Sequence, residues 1–177
     1  FDSRAHDLAG CGHSKGADMR VLSVTLLGVL LQGAAFAQAP TQPGEAFAGL
    51  TGSCWRTQMD NAGPDTDTHC FEVAVGGKMV TDTHKVRNPA GRVVYEGVSI
   101  YLLDKPSGTL IYEYFYSNGG KLVGYGWRVG DEIWFASKPG AEKPDLVWKL
   151  GKDSYTVTPA SADLGHPGRF VKVAPGK

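Results

Sequence analysis

What this chain lacks narrows its chemistry. Residues 38–177 hold no phosphate loop, no dinucleotide fingerprint and no nucleophile motif, so kinase and hydrolase chemistry have no sequence support. Cysteine is scarce: Cys11, Cys54 and Cys70 are the only three, and none forms a C-x-x-C pair, which excludes a zinc ribbon and a thioredoxin-like centre. No excess of one charge exists either. Eighteen Lys and Arg balance 18 Asp and Glu, so nothing draws the chain electrostatically to nucleic acid or to an anionic membrane surface. Long apolar runs are also missing. The one run, Val21 to Leu31, is broken by Gln32 and Gly33, well short of the roughly 20 apolar residues of a membrane-spanning helix.

That run belongs to a different feature. In residues 19–39, MRVLSVTLLGVLLQGAAFAQA, Arg20 supplies a positive n-region, Val21 to Leu31 an apolar h-region, and AFA at 35–37 an A-x-A cleavage site. Cleavage after Ala37 is expected, and with it a periplasmic or secreted protein with no integral membrane span. Residues 1–18 stand upstream of Met19 and show neither periodicity nor an apolar cluster, so they read as a non-native or untranslated extension. Cys11, His6 and His13 then drop out of any site. Residues 38–177 suit a single domain with a sizeable core.

Two cysteines remain after processing, Cys54 and Cys70, and an even pair in an exported chain is expected to be a disulfide. Between them, DNAGPDTD clusters Asp60, Asn61, Asp65 and Asp67 without the spacing or glycine of a calcium loop, and reads as a solvated turn. From there on, β-rich runs recur about every ten residues. They cover 53–59, 68–75, 78–87, 92–103, 109–117, 120–129, 132–138, 145–150, 154–158 and 169–173. Most of the connections between them are too short for anything but antiparallel neighbours. The expected fold is all-β, an up-and-down meander of about 8–10 strands closed into a barrel, since closure removes the two exposed edges. PGEAFAGL at 43–50 predicts one short helix before it.

The opening LTGSCW, with its early tryptophan, the Gly76-Gly77 hairpin and the Tyr95-Glu96 dipeptide together resemble the lipocalin-like (calycin) barrels, and the secreted bacterial families of that shape. The resemblance implies a lumen suited to a small ligand. It implies no reaction. Some ten-stranded barrels of this general shape also bind haem through one histidine near the last strands; His166 in LGHPGRFV occupies such a loop, where an exposed turn histidine is the plainer reading.

Turn type fixes register, and register fixes which side chains share a face. A Gly76-Gly77 turn sets Val73 opposite Val80, Phe71 opposite Asp82 and His69 opposite His84, an apolar face expected to point inward and to leave Cys70 outside. Carried on through NPAGR with Asn88 opposite Arg92, and through Asn118-Gly119 and Gly130-Asp131, the same face collects Leu102, Ile111, Phe115, Leu122, Ile133 and Phe135. With them come six polar groups, His69, Asp82, His84, Glu96, Glu113 and Arg128. Buried charges must be paired or bound, so this set reads either as an internal network or as a ligand-binding site in which Arg128 or the histidines anchor a polar head group. The opposite face holds Tyr95, Tyr101, Tyr112, Tyr114, Tyr116, Tyr125, Trp127 and Trp134, and a slip of one residue at a single turn would line the lumen with tyrosine instead. No local ligand spacing marks a metal site. The expected function is binding of a small, largely apolar molecule, with no cofactor assigned. Two alternatives are a barrel enzyme that uses His84 with Glu96 or Glu113 as acid and base, and a haem or metal carrier.

Overall fold

The computed structural model describes residues 40–58, 64–164 and 167–174; the upstream extension, the signal segment and His166 lie outside the described residues. All ten predicted runs form strands: β1 (Ser53–Gln58), β2 (Thr66–Ala74), β3 (Met79–Arg87), β4 (Val93–Asp104), β5 (Thr109–Tyr116), β6 (Lys121–Val129), β7 (Glu132–Ala136), β8 (Leu146–Leu150), β9 (Ser154–Pro159) and β10 (Gly168–Val173). Each pairs antiparallel with its neighbour in the chain, and β1 closes on β10 with Trp55 opposite Lys172. The result is a closed ten-stranded barrel. Every strand therefore has both of its edges paired. Among the described residues no helix is long and apolar enough to cross a membrane.

Cys54 and Cys70 sit directly opposite each other on β1 and β2 and form a disulfide. Because side chains alternate along a strand, this puts the bond on the outer face and turns Trp55 inward, where it is fully buried. Its indole Nε1 donates to Leu50 O at 3.0 Å, which ties the first strand to the segment before it. That segment contains α1 (Pro43–Ala46), with proline at its start and the Gln42 and Glu45 side chains exchanging hydrogen bonds with its first turn. Phe47 follows α1 and is buried completely, its ring 4.4 Å from Tyr101 and 6.4 Å from Trp148. This end of the barrel is plugged by aromatic packing. Full burial of side chains of this size stabilises by about 1.5–3 kcal/mol each.

The Gly76-Gly77 turn delivers the predicted register, with Val73 opposite Val80, Phe71 opposite Asp82 and His69 opposite His84. Both glycines have left-handed φ, of 61° and 88°, which a residue with a Cβ adopts only at a cost. The next hairpin departs from expectation. Asn88 N–H does donate to Arg92 O as NPAGR predicts, but the ladder shifts between Val86 and Arg87, so that Val86 meets Tyr95, His84 meets Gly97 and Val80 meets Tyr101. A β-bulge of this kind adds one residue to one strand and exchanges the two faces beyond it.

The consequence is a correction to β4 and β5. Tyr95, Tyr101, Tyr112 and Tyr114 line the interior, while Leu102, Ile111, Phe115, Glu96 and Glu113 belong to the outer face. The β5–β6 connection then reverses the slip. Tyr116 N–H donates to Gly120 O across a three-residue loop, where two residues were expected, and Tyr114 rather than Phe115 faces Leu122. From β6 onward the predicted faces hold again, with Leu122, Arg128, Ile133 and Phe135 inward.

Candidate functional site

Alternation along β2 and β3 places Asp67, His69 and Phe71 on one strand beside Val80, Asp82, His84 and Val86 on the other, all on the inner wall. Phe71 and Val80 are fully buried in the plugged half. Farther from α1 the wall turns polar. The histidine rings stack with centroids 4.3 Å apart and planes 18° from parallel.

A continuous chain of polar contacts runs through them. His69 Nδ1 lies 2.6 Å from Asp82 Oδ2, and its Nε2 lies 3.5 Å from Asp67 Oδ2. His84 Nε2 lies 2.7 Å from Asp67 Oδ1. On the far side, His84 Nδ1 is 2.9 Å from the Tyr114 hydroxyl, which is 2.7 Å from that of Tyr95. Six side chains from four strands are thus linked from a carboxylate deep in the core, with Asp82 only 1% exposed, to partly exposed tyrosines.

Burial alone would push the His69 imidazole down, but the carboxylates of Asp82 and Asp67, one at each ring nitrogen, outweigh it and lift its pKa to about 10. Burial would likewise raise the Asp67 carboxyl; the close polar contact and charge of the His69 and His84 rings reverse this and hold it far below the usual carboxylate range. Burial, with Tyr95 at its hydroxyl, pushes Tyr114 far above an ordinary phenol, so this side chain stays neutral.

Some buried polar atoms of the interior have no hydrogen-bond partner among the described residues: Asp67 Oδ1, Asp82 Oδ1, His84 Nε2, Trp148 Nε1 and Tyr155 OH. For Asp67 Oδ1 and His84 Nε2 the short separation is not matched by hydrogen-bond direction, so the contact is electrostatic. Trp148 and Tyr155, on β8 and β9, pack 5.4 Å apart in the aromatic core and were not among the residues singled out by sequence.

Of the six predicted ligand-binding residues, the fold brings together His69, Asp82 and His84. Glu96 lies opposite Lys85 on the outer face, and Glu113, also outside, pairs with Lys121 at 3.1 Å. The acid–base pair expected of His84 with either glutamate is therefore not assembled; its contacts are Asp67 and Tyr114. Arg128 faces inward but serves α1, donating to Ala46 O at 3.0 Å and to Gly130 O at 2.6 Å. Asp67 and Tyr114 were missed as site residues. Asp67 was assigned to the turn, yet Asp67, His69 and Phe71 share an i, i+2, i+4 spacing that would have found it had β2 been started two residues earlier.

Among the described residues, the wall near this cluster is partly exposed. Leu122 faces the interior opposite Tyr114 and is still 48% exposed. The histidine side chains keep 13% and 16% of their surface. A separate groove of about 730 Å³ lies on the outer face over the disulfide, with Arg56, Lys85 and Arg87 along it. No protein-family model matches the chain, and no curated protein matches it.

Proposed function

We propose that this is an exported, lipocalin-like barrel that binds a small, largely apolar molecule carrying at least one polar group inside its β-sheet. The supporting observation is the set of orphaned polar atoms on an otherwise aromatic inner wall. Leaving a buried donor or acceptor unpaired costs about 1–3 kcal/mol, and Trp148 Nε1, Tyr155 OH and Asp82 Oδ1 bear that cost together. Two donors and a carboxylate acceptor in one interior suit a ligand hydroxyl or carbonyl, with Phe71, Tyr101, Phe135 and Phe170 as the apolar surround. The exposure of the inward-facing Leu122 is consistent with access from that end. Export is supported by the Arg20, Val21–Leu31 and AFA pattern and by the disulfide, a bond that persists in oxidising compartments.

Native mass spectrometry of protein purified from the compartment into which it is exported tests this reading. A reproducible adduct of small-molecule mass, lost on organic extraction and weakened in Tyr155→Phe, is expected. An unadducted chain whose crystal structure shows the interior filled by its own side chains overturns it.

A further inference from the structure

We propose that Asp67, His69 and His84 form a binding site for one divalent transition-metal ion of the zinc type. Three ligand atoms, one from each residue, all lie within 4.8 Å of one another. The Asp67 carboxylate approaches both imidazoles, one oxygen to each, with Oδ1 2.7 Å from His84 Nε2 and Oδ2 3.5 Å from His69 Nε2. These distances bracket the edge of about 3.3 Å that a tetrahedral ion with bonds near 2.0 Å requires. To share one ion the two rings, now stacked 18° from parallel, must turn so that both Nε2 atoms point to it.

A second and independent observation concerns direction. Asp67 Oδ1 and His84 Nε2 are buried and close together, yet neither has a hydrogen-bond partner, not even the other. Two buried polar atoms 2.7 Å apart and without a hydrogen-bond partner are an arrangement that a cation held between them satisfies.

The surroundings supply the outer support that metal-bound imidazoles normally have. A ligating histidine almost always donates its other ring N–H to a carboxylate or another acceptor, which fixes the tautomer and the ring plane. Here His69 Nδ1 meets Asp82 and His84 Nδ1 meets the Tyr114 hydroxyl, leaving both Nε2 atoms on the side of Asp67. Two imidazoles and one carboxylate favour zinc and its first-row neighbours over calcium and magnesium, which take oxygen ligands. With three protein ligands the ion keeps at least one position for water or a donor atom of a bound molecule. The site adjoins the orphaned Trp148, whose ring centroid is 6.3 Å from that of His69, but zinc titration and small-molecule adduct formation read the two separately.

The test uses the full chain stripped with EDTA. Calorimetric titration with zinc chloride is expected to give one ion per chain, and cobalt(II) to give the intense visible bands of a four- or five-coordinate site. Proton and nitrogen NMR should move both Nε2 resonances and leave both Nδ1 partners in place. Removing a ligand in Asp67→Asn or His84→Ala should weaken zinc binding by about 100-fold or more, and Asp82→Asn, one step out, by about 10- to 100-fold. Glu113→Gln, on the outer face, should bind as wild type. Absence of saturable zinc binding, a pale octahedral cobalt spectrum, or undiminished affinity in folded Asp67→Asn and His84→Ala each overturns the proposal. The wild-type cobalt spectrum decides the matter even if both variants fail to fold.

Discussion

Adding one methyl group at Gly97 tests the register of the inner wall most directly. Gly97 faces inward opposite His84, and a Cβ built there would lie 2.5 Å from Tyr114 Cε2, 2.7 Å from its hydroxyl and 2.8 Å from the backbone oxygen of Phe115. The ring could swing away, but the carbonyl belongs to the paired strand and cannot. Overpacking of this kind costs about 1–3 kcal/mol, against a gain of about 0.4–1 kcal/mol from the stiffer unfolded chain, so Gly97→Ala should lose about 1–2 kcal/mol net. At roughly 3 °C per kcal/mol for a domain of this size, the melting temperature falls by about 3–6 °C. Gly44→Ala supplies the control, because its new Cβ meets only Val73 at an ordinary 3.5 Å. That variant should melt at or slightly above wild type. Thermal unfolding by circular dichroism reads both, and the His84 ring resonances report whether Tyr114 has been driven off Nδ1. A Gly97→Ala protein as stable as wild type, with His84 unchanged, would refute the placement of Tyr114 over Gly97 and with it the register of β4.

Other perturbations have equally definite outcomes. The Cys54–Cys70 bond closes a separation of 16 residues, so reduction or the double alanine variant should lower stability by about 3 kcal/mol, read by urea unfolding with and without reductant. Phe47→Ala removes a fully buried ring from the plug and should cost about 3–5 kcal/mol, checked the same way. In metal-free protein, His69 is raised from 6.5 to about 10, so its contribution is complete below pH 6.5 and is lost as pH climbs towards 10. Asp67 is depressed from 3.8, so its contribution is present above that value and is lost on further acidification. Stability should therefore peak between about pH 4 and 6.5, and Asp82→Asn should flatten the alkaline side of a chemical-denaturation series.

The architecture was legible because short turn signals punctuate most of the hairpins, and antiparallel neighbours leave little topological choice. The site was half legible. Gly76-Gly77 sets the His69 and His84 pairing unambiguously, but nothing in NPAGRVVYE announces that the ladder steps at Val86, since a bulge there costs no turn residue and Val94 is as good a strand former as Val93. Glu96 and Glu113 were drawn inside by that step, and Tyr95 and Tyr114 left out. The faces returned to phase at Asn118-Gly119, where a three-residue loop uses the same two residues as a two-residue one. Asp67 was hidden by its neighbours, because an aspartate between Thr66 and Thr68 carries no strand signal until its alternation with His69 and Phe71 is weighed.

The seam where the barrel closes has an uneven pair of sides. β1 is bonded covalently to β2 through Cys54, whereas β10 is held to β1 without a covalent bond, by strand pairing at Cys54, Trp55 and Arg56 and by Lys172 over the Trp55 ring. The covalent tie therefore fixes β1 to β2, while β10 depends on its pairing with β1 and β9 and on Phe170 in the core. A chain cut short of Gly168 would expose two raw borders, β1 and β9, each a template onto which a neighbouring molecule can add.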